Sequence, residues 1–206
     1  GVFVSYEKED GSHETAVLRV HRKGINLTRV NAVNQISRQA ERGEITLDGA
    51  LRALQAIEYS TLYTNRQILP AAGISAAAWA IMFGGGVADF FIAFATAIVA
   101  ELLTQWMTKR QVHGYMATLL CSFVSTILPQ LVCHALQTGS PEACIAGALM
   151  PLLPGLAMTN AIQDTMRGDI VSGVAHGMNA ILIAGMIAGG TLCASSLFHL
   201  LIGGLM

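Results

Sequence analysis

The stretch LMPLLPGLAMTNAIQDTMRGDIVSG, Leu149–Gly173, begins as apolar as a membrane span and then departs from one. Pro151 and Pro154 remove two backbone donors within one turn and their rings clash with preceding carbonyls. Gly155 adds local freedom, so a helix entering this stretch must kink or break. A break frees carbonyls, and inside a bilayer these are tolerated only where protein or a water-filled cavity satisfies them. Transporters use broken helices of this kind to hold small polar substrates. Proline kinks also occur in ordinary spans, so a merely structural kink above a solvated inner loop stays open. Beyond the break, Asn160 and Asp164 stand i and i+4 on one helical face, and both Gln163 and Asp164 are within helical reach of Arg167. Asp169, Ser172 and Asn179 follow Gly168.

Composition says what surrounds this stretch. The 206 residues are 53% hydrophobic and 12% charged, too apolar for a soluble domain and typical of a membrane protein. Charge is unevenly placed: 17 of the 25 Asp, Glu, Lys and Arg residues precede Gln67. The chain is therefore expected to be a polar head, residues 1–66, followed by a membrane body, residues 67–206. A net charge of -1 without a basic stripe excludes nucleic acid as a partner. The four cysteines, Cys121, Cys133, Cys144 and Cys193, lie in apolar stretches without metal-ligand spacing and are read as small buried hydrophobes. A Cys133–Cys144 disulfide is the alternative, which separation in space decides. No cleavable signal peptide is visible, and the start at Gly1 within a strand-like run leads us to expect a preceding natural segment.

Within the head, two β-rich runs flank Glu9-Asp10-Gly11-Ser12, and Asp-Gly between such runs signals a hairpin. Leu27, Val30, Val33 and Ala40 recur at helical spacing up to Gly43. A second helix opens at Thr46, a plausible N-cap, with Leu47, Ala50, Leu51, Leu54 and Ile57 sharing a face. Both stripes are read as core packing. The body offers five spans of roughly 20 residues: Ile68–Phe83, Ala88–Met107, Gly114–Leu136, Ala143–Ile162, and a long last segment from Ile170 to Met206. That last segment is expected to begin with a tilted or interfacial lead-in up to His176; a break at Gly189-Gly190 would instead give six spans. The fold expected is thus an all-α polytopic membrane protein of about five helices, with a small α+β head. With the head cytoplasmic, Arg66, Lys109-Arg110 and Arg167 all fall inside, as the distribution of basic residues in membrane proteins requires. The C-terminus then lies outside. An odd span count without an internal repeat suggests half of a larger assembly.

Charged and reactive groups in the body are few. Asp89, after Gly84-Gly85-Gly86, is read either as a helix N-terminal charge facing water or as a coupling residue. Glu101 lies inside a span, where an ionisable group costs about 3 kcal/mol and usually faces a cavity or partner; snorkelling toward Lys109 is the alternative. Small residues at Gly185, Ala188 and Gly189, and at Ala143 and Gly147, permit close helix approach. His113, His134 and His199 lack a second ligand at i+3 or i+4, so no metal is expected. No G-x-S-x-G, H-E-x-x-H or P-loop occurs. Neither an enzyme nor a cofactor is expected.

The motif LLPGLAMTNAIQDTMRGDIVSG, Leu152–Gly173, resembles the signature of the threonine/serine exporter family of bacterial secondary transporters. HRKGINLTRVNAVNQISRQAERGEITLDGALRAL, His21–Leu54, is similar to the family's region before its first span, including Gly24, Asn26, Val30 and Asn34. Members are either long chains with two membrane halves or pairs of separate proteins, and this chain looks like the five-span first half. The resemblance implies a subunit, in the bacterial inner membrane, of a proton-coupled transporter that works with a second polytopic subunit. It would export threonine, serine or a small dicarboxylate such as succinate. Pro154, Gly155, Asn160, Asp164, Gly168, Ser172 and Gly173 occupy the matching positions. Together with Asp169 these are the expected transport residues, and Asp164, Glu101 and Asp89 the expected coupling residues. His176 stands where the family pattern often has Arg, so a fixed cation is not carried over there. A histidine can titrate near neutral pH, although a polar interfacial role is the simpler one. Two other classes stay open from the residues alone: a membrane-anchored scaffold or sensor, and a passive channel.

Overall fold

A computed structural model of the chain describes residues 2–8, 11–18, 26–59 and 63–203. Asp10 of the hairpin turn, Gly24 of the family-like region and residues 204–206 of the last span lie outside these. The chain divides into two compact units, residues 1–62 and 63–206.

In the first unit, β1 (Val2–Glu7) and β2 (His13–Leu18) pair antiparallel, in register from Val2 opposite Leu18 to Glu7 opposite His13. Gly11 supplies the positive φ of +78° that the turn requires. Across the strands, Tyr6 donates to Glu14 at 2.8 Å and Lys8 pairs with the same carboxylate. The Lys8 ammonium and the Tyr6 hydroxyl hold the Glu14 carboxyl below its ordinary range. Helix α1 (Leu27–Glu41) is capped by Asn26, whose side chain accepts from the Arg29 amide. Helix α2 (Leu47–Tyr59) is capped as expected by Thr46, which accepts from Gly49 N at 3.2 Å. The two apolar stripes do not form the core expected of them. Ala50 is buried, but Leu27, Val30, Val33, Leu47, Leu51 and Leu54 remain exposed.

The described residues of the second unit form helices joined by short turns: α3 (Asn65–Met82), α4 (Val87–Lys109), α5 (Gly114–Leu136), α6 (Pro141–Leu149), a 3-10 turn Met150–Leu152, α7 (Gly155–Met166) and α8 (Ile170–Gly203). Three helices, α4, α5 and α8, are each long and apolar enough to cross a membrane. The stretch from α6 to α7, bent by 54° at its break, is a fourth candidate. Helix α3 falls short of that test by itself, because its 18 residues open on Asn65-Arg66-Gln67. The last segment is one helix: α8 runs unbroken through His176 and through Gly189-Gly190 for 34 residues, without the break that a sixth span would need. At 1.5 Å per residue that is about 50 Å, well beyond a hydrocarbon core of about 30 Å.

Side-chain pairing fixes the helix directions. Tyr115 donates to Asn179 Oδ1 at 2.8 Å, Ser122 to the Met186 carbonyl at 3.4 Å, Thr126 to Thr191 at 3.3 Å and Gln130 to Ser195 at 3.2 Å. Partners advance together along both helices, so α5 and α8 are parallel. The chain leaving α5 at Leu136 must therefore return the full length of the bundle before α8 begins. Only α6, the 3-10 turn and α7 are available to carry it back. A re-entrant loop would have left α8 antiparallel to α5. By the same logic α6 runs parallel to α4, since Cys144 meets Asp89 at one end and Pro151 shares a cavity with Glu101 further along.

Backbones approach most closely at glycines. A Cβ on Gly147 would lie 2.5 Å from the Ala76 carbonyl oxygen, and one on Gly190 would collide with the Ser122 hydroxyl and the Leu119 carbonyl. These two residues let α6 pack on α3 and α8 on α5. Of the small residues expected to serve close approach, Ala143 and Gly147 are buried, whereas Gly185 and Gly189 face open space and Gly190 makes the α5 contact.

Candidate functional site

The break expected around Pro151 and Pro154 is present and its geometry follows from the two prolines. Pro151 offers no N–H to the Gly147 carbonyl, so α6 ends at Leu149 and tightens into the 3-10 turn. Leu153, which precedes Pro154, is extended at φ −65° and ψ 135°, the conformation that a following proline imposes. Pro154 then caps α7, its carbonyl accepting from Met158 N at 3.0 Å. A Cβ on Gly155 would meet nothing within 4 Å, so this glycine is not required by close packing.

Glu101 faces this break. It lines a cavity of about 30 Å3 with Ala97, Ala100, Thr104, Pro151 and Leu152. That volume is room for a water or two. Its carboxylate accepts from Gln105 Nε2 at 3.0 Å, one turn on along α4, and no pairing with Lys109 occurs among the described residues. Thr104 beside it donates to the Ala100 carbonyl and lies 3.1 Å from Cys121 Sγ. An ionisable group, a hydroxyl and an interrupted helix thus meet in one small space inside the bundle.

Asp164 lies elsewhere. Helices α7 and α8 form an antiparallel pair, held tight at Gly173: a Cβ there would collide with the Thr165 hydroxyl and approach the Ala161 carbonyl to 3.0 Å. This pairing brings His176 Nε2 to 3.8 Å from Asp164 Oδ2, with the aspartate side chain 25% exposed. The cross-helix partner is His176; the helical neighbour Arg167 makes no ion pair with Asp164 among the described residues. His176 precedes Asn179, the partner of Tyr115 in the first turn of α5, so the pair sits at the end of the bundle that carries Lys109 and Arg110. Glu101 is the deeper of the two carboxylates. Asn160 is half-buried one turn before Asp164. Asp169 and Ser172 are exposed at the start of α8, and neither side chain is joined to Asp164 by a hydrogen bond among the described residues. An apolar hollow of about 390 Å3, lined by Ala161, Ile162, Thr165, Met166, Gly173 and Val174, opens beside the pair.

Asp89 does not face water as a simple helix-end charge would. It is buried at 3% exposure. Its Oδ2 accepts from Gly86 N at 2.7 Å, and its Oδ1 accepts from Ser140 N at 2.7 Å and from the Cys144 thiol at 3.2 Å. It staples the start of α4 to the α5–α6 connection. Cys133 joins it, and Asp89, Cys133 and Cys144 place one donor atom each within 4.8 Å of the others. Both cysteines are free thiols. The sequence raised Cys133 and Cys144 as a pair but gave no sign that Asp89 joins them, because the three members come from three different helices.

The model of the threonine/serine exporter family matches residues 1–198. The probable succinate transporter subunit YjjP of Escherichia coli (strain K12) is 25% identical over 176 residues, covering 85% of this chain and 68% of that protein. The threonine/serine exporter of Corynebacterium glutamicum is 27% identical over 171 residues, which cover 80% of this chain but only 35% of the exporter. The Klebsiella aerogenes YjjP is 24% identical over 176 residues, with the same shares of the two chains as its Escherichia coli counterpart. No solved structure matches the chain. With its apolar spanning helices and the family match over nearly its whole length, the chain is a multi-pass membrane protein that belongs to the threonine/serine exporter family.

Proposed function

We propose that this chain is one subunit of a proton-coupled secondary transporter that exports a small hydrophilic metabolite, threonine or serine or a small dicarboxylate such as succinate. The observation that carries this reading is the broken pass at Met150–Pro154 with Glu101 facing it. A carboxylate beside an interrupted helix provides a group that can take up a proton and polar backbone that can meet a substrate. The names of the two kinds of relative supply the substrate classes.

Five crossings are supported by the parallel course of α5 and α8 and by α3 lying along α4, where a Cβ on Gly73 would meet the Phe94 ring at 2.6 Å. The head would be cytoplasmic, because Arg66, Lys109, Arg110 and Arg167 then share one side. The C-terminus would face outward from a bacterial inner membrane. A second polytopic subunit would complete the translocation path. The 35% coverage of the longer exporter and the word subunit in the YjjP name both favour such a partner.

In this scheme Glu101 is the deep coupling candidate, and Asp164 with Asn160 forms a site at the inner mouth, reached past Asp169 and Ser172. Asp164 would hold the ammonium of an amino acid or pass the proton on. Asp89, whose oxygens are committed to two backbone amides and a thiol, is the weakest coupling candidate of the three. Gradient-driven efflux of labelled threonine, serine and succinate from proteoliposomes, with the second subunit present, tests the proposal. Transport dissipated by an uncoupler supports it. Uptake insensitive to any proton gradient would favour a channel, and no flux of any of the three would leave a scaffold or sensor.

A further inference from the structure

We propose that Asp89, Cys133 and Cys144 form a binding site for a borderline-soft divalent cation of the Zn2+ class, its fourth position open to the polar cleft beside Cys133. The three donors are buried at 3%, 5% and 0% exposure and arise independently from the starts of α4 and α6 and the last turn of α5. Their ligand atoms lie within 4.8 Å of one another, close enough for small rotamer changes to bring metal–sulfur distances near 2.3 Å and a metal–oxygen distance near 2.1 Å. Two sulfurs exclude hard cations such as Mg2+ and Ca2+, which take oxygen ligands.

Space for the cation is kept by the backbone. Gly139, at φ +86°, lies so close that a Cβ there would collide with Asp89 Oδ1 and stand 3.4 Å from Cys133 Sγ. From Cys133 a cleft of about 410 Å3 leads outward past Gln130, His134, Gln137 and Thr138. Gln130, which lines this cleft one turn before Cys133, has its Oε1 buried and without a hydrogen-bond partner among the described residues.

Charge balance permits occupancy. Without metal, the cluster is a carboxylate that accepts only, with one of the two thiols donating to it. The entering cation displaces both thiol protons, giving two thiolates, one carboxylate and one retained water around M2+, with two H+ released. The cluster carries one negative charge before and after. The Cys144 proton that now points at Asp89 Oδ1 leaves the position the metal takes.

The experiment uses the full untagged chain, purified reduced and metal-free in detergent, and titrated with Co2+ and then with Zn2+ against a chromophoric chelator. The expected result is one equivalent of Co2+ with a thiolate-to-metal absorption band and tetrahedral d–d intensity, displaced by Zn2+. Two protons should be released, and two of the four thiols should be protected from alkylation. Cys144→Ser and Cys133→Ser should each weaken binding at least about a hundredfold, more than the loss of an outer-shell partner does; Cys193→Ser, exposed and outside the cluster, should leave it unchanged. The wild-type readings stand even if a cysteine variant fails to fold. Absence of a thiolate band with reduced wild-type protein would overturn the site. So would a Cys133–Cys144 disulfide in protein whose thiols were trapped at lysis, since both sulfurs would then be consumed.

Discussion

His176 Nε2 lies 3.8 Å from Asp164 Oδ2, across the contact that Gly173 makes possible between α7 and α8. A histidine in this position makes the pair conditional: charged on both sides only when the ring is protonated. Arg167 and Asp169, in and beside the turn that joins the two helices, are the other charges on these elements. Arginine carries a permanent charge and a planar fork of donors. His176→Arg should therefore make the cross-helix ion pair permanent and slow export while leaving membrane abundance unchanged. Export at the parental rate in the variant would show that a conditional partner for Asp164 is not needed.

Asp164→Asn keeps shape and removes charge. We expect normal insertion and loss of gradient-driven export, with exchange retained if Asp164 carries only the proton. As an ordinary surface pair with His176, it would contribute at most about 1 kcal/mol and be dispensable. Full export at equal abundance would establish that second role and leave Glu101 as the coupling group.

Glu101→Gln separates the deeper site from the mouth. It preserves the hydrogen-bonding capacity toward Gln105 and removes an ionisable group costing about 3 kcal/mol at membrane depth. The variant should be at least as stable as the parent in a thermal scan, yet lose proton-driven transport. A less stable but fully coupled variant would mean that Glu101 serves the fold.

Glycine substitutions check the packing. Gly190→Ala places a methyl against Ser122 and Leu119 and should destabilise by about 1–3 kcal/mol. Gly185→Ala and Gly189→Ala, facing open space, should be neutral or slightly stabilising through helix propensity. Melting temperatures of the three variants in one detergent decide it, and equal losses at all three would contradict the assigned rotation of α8.

These cases also show which features local chemistry reveals. The break could be read from the sequence because proline acts on its own helix: Pro151 lacks a donor and Pro154 dictates the conformation of Leu153. The Thr46 cap is equally local. What lies across a helix contact was not legible. Periodicity identified Gly185 and Gly189 as a small stripe, but the rotation of α8 turns Gly190 toward α5 instead. The stripes at Leu27 and Leu47 told which side chains share a face and nothing of what covers it, and they remain exposed. Asp164 reached toward Arg167 by spacing, whereas the tertiary contact gives it His176. Asp89, Cys133 and Cys144 converge only because the starts of α4 and α6 meet the last turn of α5. The parallel course of α5 and α8 likewise emerged from paired hydroxyl and amide side chains that carry no sequence signature.

The head's placement can be tested with single cysteines at Ser12 and Ser140 in a background cleared of reactive thiols. An impermeant thiol reagent on whole cells should label position 140 and spare position 12. Labelling at 12 alone would invert the topology, placing Lys109, Arg110 and Arg167 outside.

The central claim, that this chain is one half of a coupled exporter, is tested most directly by counterflow in proteoliposomes. One set would contain the chain alone, the other the chain with a co-purified second polytopic subunit, each offered threonine, serine and succinate. The account predicts exchange of at least one of these only in the mixed vesicles, abolished by Asp164→Asn or Glu101→Gln or reduced to uncoupled exchange. Substrate exchange by the chain alone, at the rate of the mixed preparation, would contradict it.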